Sequence, residues 1–128
     1  MATWAAACAE HVLATCWNNP TDQRPAAAVR SAHAWARDEM AVGPARKAAL
    51  SAHDAAKESR SPQMIAAARA AGHAAATAHM ADHCLRAAKY ALKAAELANA
   101  DPAQERAWQD RQLPVAIREL VNSTREVL

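Results

Sequence analysis

The stretch that decides the fold runs from Ala70 to Ala98, AAGHAAATAHMADHCLRAAKYALKAAELA. On a helical wheel its charges fall in one narrow stripe: Asp82, Arg86, Lys89, Lys93 and Glu96. Cys84, Leu85, Ala88, Leu92 and Ala95 lie opposite, flanked by His79, His83, Tyr90 and Leu97. Roughly two-thirds of the circumference is apolar or histidine, far wider than the stripe of a surface helix. The segment Ala74 to Ala81 carries no charge at all. A helix of this kind needs neighbours on several sides. The reading is therefore an all-α, single-domain bundle of six to seven helices around a long Ala/His-rich central helix, at about 73–98, with the domain spanning residues 1–128.

The start of that central helix is set by length. An unbroken helix from Pro62 to Ala98 would be about 55 Å long. A compact domain of this size has a radius of gyration of about 14 Å. A break is required, and Gly72 is the expected place for it. Ser61-Pro62 reads as a cap and first-turn proline opening the shorter helix before the break.

Outward toward the N-terminus, Pro44 to Glu58 reads as a helix whose buried face is Ala45, Ala48, Ala49, Ala52 and Ala56. Nothing large stands on that face, so another helix can approach closely. Gly43 is expected as a left-handed cap and Pro44 as the first helical residue. Pro25 opens a helix running through Met40, with Val29, Ala32, His33, Ala36 and Met40 inward. The first helix, from Thr3 as cap to Trp17, repeats Trp4, Cys8, Val12 and Cys16 every four residues and ends at Asn18-Asn19-Pro20. Toward the C-terminus, Asp101-Pro102 caps a helix that carries Trp108 inward. Leu113-Pro114 starts a last one with Val115, Ile117, Leu120 and Val121, and Asn122 to Leu128 is expected to fray.

The composition explains why the helices must sit close together. There are 39 alanines against eight Leu, six Val, two Ile and no Phe. Alanine is the best helix former and the poorest core filler. Trp4, Trp17, Trp35 and Trp108 are expected to fill the wider gaps, and a homodimer is expected to supplement a modest core. Two glycines and few β-branched residues argue against a sheet. The net charge of +2 comes without a block of like charge, which argues against nucleic-acid binding. Three cysteines, Cys8, Cys16 and Cys84, form neither a C-x-x-C motif nor a disulfide framework and suit a reducing cytoplasm. Glu10 and His11 interrupt the first apolar run, so it does not read as a signal peptide. No membrane span is expected.

Chemistry-bearing residues concentrate in the same central stretch. His79 and His83 stand four apart on one helix face, a spacing at which two imidazoles can share a metal ion. Met80 stands where a zinc protease needs Glu, which excludes that mechanism. A third ligand would come from His11, His33, Asp22 or Cys84. Otherwise both are hydrogen-bonded polar groups between helices. His73 and Thr77 form a second i, i+4 pair, about 120° round the helix. On one helix these are two separate rows, not one cluster. His11, His33 and His53 read as core or rim histidines. No nucleophile elbow, phosphate-binding glycine loop or core pair of carboxylates is readable. The residues thus favour a non-enzymatic protein without a cofactor. The alternatives are a small helical metal-binding protein or hydrolase using His79 and His83, or a homodimeric helical domain.

The residues also resemble a known family. Asp22-x-Arg24-Pro25, Ala32-x-Ala34-Trp35-Ala36-Arg37, Ala70-Ala71-Gly72-His73-Ala74-x-x-Thr77-Ala78-His79, His83 and Tyr90-Ala91-Leu92-Lys93-Ala94 are similar to the bacterial immunity proteins of the immunity-five-like domain family. Glu105-Arg106-x-Trp108-Gln109 and Leu113-Pro114 extend the likeness over nearly the whole chain. The resemblance implies a small cytoplasmic helical protein that binds and neutralises a cognate bacterial toxin. It transfers no catalytic residue. Its polar motif residues correspond to Asp22, Arg24, His73, Thr77, His79 and His83. The slightly basic chain argues against a basic nuclease as that toxin.

Overall fold

A computed structural model describes residues 1–126. It comprises α1 (Ala2–Cys16), α2 (Arg24–Ala36), α3 (Val42–Glu58), α4 (Pro62–Ala76), α5 (His83–Leu97), α6 (Pro102–Gln112) and α7 (Val115–Glu126), with no strand among the described residues. The all-α, single-domain bundle and its seven helices agree with the sequence reading. Residues 127 and 128, the end of the segment expected to fray, lie outside the described residues.

The central helix is the first correction. α4 runs unbroken through Gly72, and the chain turns at residues 77–82 before α5 begins. No single helix covers 73–98. The length argument for a break holds, but the glycine is not its site. Gly72 has another use: a Cβ there would stand 2.7 Å from Cε1 and Nε2 of His53. The missing side chain admits the His53 ring against α4. The turn instead falls where alanine gives way to poor helix formers, Thr77, His79 and Asp82. Thr77 Oγ1 donates to the His73 carbonyl at 3.1 Å, and a series of short-range turns follows from Ala78 to Leu85.

α4 is the true centre. From Ala66 to Ala76 nearly every residue is buried, and the helix packs against α1, α2, α3 and α5. Alanine against alanine lets those four neighbours approach one small-residue cylinder. α5 folds back to bury Cys84, Ala87, Ala88, Ala91, Ala94 and Ala95, while Asp82, Arg86, Lys89, Lys93 and Glu96 face solvent as the wheel requires. On α3 the buried residues are Ala45, Ala49, Ala52, Ala55 and Ala56, with Ala48 at the margin.

Helix ends differ from the sequence reading in instructive ways. Thr3 lies inside α1, whose cap position is Met1. α2 stops at Ala36, and Asp38 rather than Gly43 adopts the left-handed conformation, with φ 61°. Glu39 N–H then closes onto the Ala34 carbonyl at 2.8 Å, a Schellman-type ending. Asn99, φ 63°, ends α5 the same way. Asn and Asp tolerate this region because their short side chains bond locally. Gly43 and Pro44 sit in the first turn of α3. Ser61 and Asp101 cap α4 and α6 as expected, accepting from Met64 N–H and Ala103 N–H.

Of the tryptophans, only Trp4 is buried; Trp17, Trp35 and Trp108 are half-buried. α7 is the least embedded helix. Val121 is its buried residue, Ile117 packs against the core, and Val115 and Leu120 remain exposed.

Candidate functional site

Turning the chain at 77–82 changes what the histidines do. His73 sits one turn before the end of α4, and His83 is the first residue of α5. Doubling back brings their rings together, Nδ1 to Nδ1 at 2.7 Å, with ring centroids 5.0 Å apart. In that contact one ring donates from Nδ1 and the other accepts, so the acceptor is neutral. His53, from α3, meets His73 edge-on at 4.9 Å. Tyr90, two turns into α5, stacks on His73 with ring centroids 5.2 Å apart. His79 lies 5.6 Å from His83. The two rows expected on a single helix are thus one cluster of four imidazoles and a phenol, drawn from three helices and a turn.

Its electrostatics follow from burial and like charge. Arg69 Nη1 donates to His53 Nδ1 at 2.9 Å, which fixes His53 as an acceptor. Burial lowers the His53 pKa, and Arg69 lowers it further. Burial, together with the facing His53 and His83 rings, pushes His73 down to about 3. His83 is also lowered by desolvation, against which Asp82 works in the opposite direction. Burial therefore disfavours the charged form of His53, His73 and His83. His79 and His83 are close, but His83 spends Nδ1 on His73. Among the described residues, no three His, Cys, Asp or Glu side chains converge as ligands for one ion.

His73 and Tyr90 also line a groove of about 720 Å³. Its long wall is α5, with Asp82, Leu85, Arg86, Lys89, Leu92 and Lys93; Arg106 of α6 and Arg125 of α7 stand across it. Five of the fifteen Lys and Arg side chains line this groove, with one of the thirteen acids. The linear sequence shows the cations as scattered because they come from three helices.

The motif residues Asp22 and Arg24 are placed elsewhere. They lie at the α1–α2 connection, where Arg24 holds both Asp22 carboxylate oxygens, at 2.9 and 2.7 Å, and reaches Glu58 at the end of α3. This bidentate pairing holds the Asp22 carboxyl below its usual range. Trp17 Nε1 donates to the Asp22 carbonyl at 3.1 Å, fastening the same loop. The pair is a staple between the α1–α2 loop and α3. The six polar motif residues thus divide into this staple and the α4–α5 corner.

Three groups are not readable from spacing. His11 Nδ1 meets the buried Glu105 carboxylate at 2.8 Å, and its ring stacks on Trp108 at 3.6 Å. Gln109 is wholly buried and donates through Nε2 to the Ala88 carbonyl. Arg125 donates to the Gln109 Oε1 and lies over Trp4. The Glu105-Arg106-x-Trp108-Gln109 motif was the only sequence signal near them, and it did not reveal their partners.

Comparison with known families now decides the relationship. The model of the family described as "Imm-5 like putative immunity protein" matches residues 1–116. The chain belongs to this family. The match spans α1 through α6 and stops at the start of α7, so both the staple and the histidine corner lie within the family's part of the fold. No curated protein and no solved structure matches the chain.

Proposed function

We propose that this protein is an immunity protein of a bacterial toxin system, a non-enzymatic helical protein that binds a cognate toxin in the cytoplasm and holds it inactive. The observation that carries this reading is the family match over residues 1–116. The site chemistry agrees with it. The imidazoles at the α4–α5 corner contact one another and Tyr90 rather than a nucleophile, and burial disfavours the charged form of His73. They fix a corner of the fold beside a charged groove, which is the work of a rigid binding surface. No helix is long and apolar enough to cross a membrane among the described residues.

The test is co-expression with each toxin gene encoded beside this one. Growth restored by this protein, together with co-purification of the toxin at fixed stoichiometry, is the expected result. Failure of every neighbouring toxin to bind overturns the reading.

A further inference from the structure

We propose that the groove between α5, α6 and α7 receives an acidic amphipathic segment of the toxin, with carboxylates on Lys89 and Lys93 and apolar side chains on Leu85, Leu92 and Tyr90. This rests on the immunity reading above and adds to it the binding face and the chemistry of the partner.

The charge arrangement selects the occupant. Arg86, Lys89 and Lys93 rise along α5 at about one per turn, over about 10 Å. Asp82 lies 3.8 Å from Arg86, and Asp110 stands within 3.5 Å of Arg106 and 3.3 Å of Arg125. Three cations are therefore matched by two carboxylates within the chain. Lys89 and Lys93 are exposed and enter no ion pair among the described residues. A facing helix presents one side chain per turn on each face, so carboxylates spaced by four residues meet these two lysines in register. Between the cations the wall is Leu85, Leu92 and Tyr90, each half-buried, which offers apolar contact at the centre of a charged rim.

A compact anion would be held by fixed cations converging on one point, whereas here the unpaired ones are spread turn by turn. Nucleic acid is bound on stacking platforms within a basic track. Tyr90 is the groove's one such residue besides His73, and His73 covers one of its faces. An acidic protein segment fits better than either. It also fits a slightly basic chain, because complementary charge speeds encounter and excludes wrong partners.

The test titrates the neighbouring toxin into three forms of the full-length protein by calorimetry. These are the wild type, Lys89→Glu/Lys93→Glu, and a control on exposed α3 positions, Arg46→Glu/Lys47→Glu. All four substituted residues sit at exposed positions, and a milder Lys89→Ala/Lys93→Ala pair reads the same surface should charge reversal impair folding. The groove reversal is expected to weaken binding by about 100-fold and the alanine pair by about 10-fold, with the control within about threefold. Wild-type affinity is expected to fall as salt rises toward about 0.5 M. Equal binding by wild type and groove variants overturns the groove and leaves the immunity reading intact. No binding by wild type to any neighbouring toxin removes both. Saturable binding of wild type to poly-uridylate RNA, lost in the groove variants, overturns the acidic segment in favour of nucleic acid.

Discussion

The imidazole of His53 occupies the space where a side chain at Gly72 would begin, its Nε2 only 2.7 Å from an ideal Cβ. That contact ties α3 to α4 and, through the edge of His73, to the histidine corner. Gly72→Ala is therefore expected to destabilise the protein by about 1–3 kcal/mol, the usual cost of overpacking. In a His53→Ala background the obstruction is gone. There the same change should be neutral or stabilising by about 0.5–1 kcal/mol through helix propensity. Urea denaturation of the four proteins gives the coupling. Additive effects would show that the two residues do not share this space.

The histidine corner makes stability depend on acid in a defined direction. His53, His73 and His83 have folded pKa values below the 6.5 of the unfolded chain. Below about pH 6.5 the unfolded chain thus binds more protons than the folded one. Stability is fully present above that pH and falls as acid is added, continuing toward about 3 for His73. Arg69 and Lys57 oppose protonation of His53 and Arg86 that of His83, while Asp54 and Asp82 favour it. His83 faces solvent enough to screen its share. Melting at about pH 5 is expected to be roughly 5–10 °C below that at about pH 7.5. His73→Phe should flatten this dependence, and an unchanged slope in that variant would remove His73 from the account.

Gln109 holds three helices at one point. Its backbone carbonyl accepts from Trp4 Nε1 at 2.8 Å, its Nε2 bonds the Ala88 carbonyl at 3.1 Å, and its Oε1 receives Arg125. Gln109→Leu keeps the volume but removes two buried side-chain hydrogen bonds, one to the Ala88 carbonyl and one to the Arg125 guanidinium, which keeps Asp110. A loss of about 2–4 kcal/mol is expected in chemical denaturation. Arg125→Ala in the same chain should recover part of it. Because Arg125 fastens α7, hydrogen exchange in residues 115–126 should rise first. Uniform protection across α7 in Gln109→Leu would contradict this tether.

The three thiols should be chemically silent in the folded protein. Cys8, Cys16 and Cys84 are all buried and free. Burial pushes the Cys8 thiol up to about 12 and raises Cys84 as well. A thiol-specific reagent such as Ellman's is expected to label none of them within minutes at about pH 8, and all three in denaturant. Rapid native labelling would show that the alanine core opens far more readily than its packing implies.

Much of the fold was legible because helix formation here is a local matter. Thirty-nine alanines, prolines at first turns and the caps Ser61 and Asp101 mark the segments without reference to anything distant. The charged stripe of α5 was equally plain, since a solvated face needs no partner to define it. The reading failed at Gly72 for a physical reason. Glycine's cost in a helix is about 1 kcal/mol, and a tertiary contact offsets it easily. The sequence registers the residue but not the ring that requires its absence of side chain. The same blindness affected Asp38 and Asn99, where a non-glycine residue took the left-handed position.

The candidate site divides along the same line. The sequence by itself determined the helical class, the wealth of small residues that lets helices crowd around α4, and the polar motif residues His73, Thr77, His79 and His83. It also carried the family membership. Only the tertiary structure decided that the chain reverses at 77–82, so that His73 meets His83, and that His53 enters from α3 to join them. It likewise gathered Arg86, Lys89, Lys93, Arg106 and Arg125 around one groove. Local propensity acts over a few residues and is written in their order. Contacts between residues ten to a hundred positions apart depend on how the helices pack, and that is settled by the burial of the whole alanine core at once.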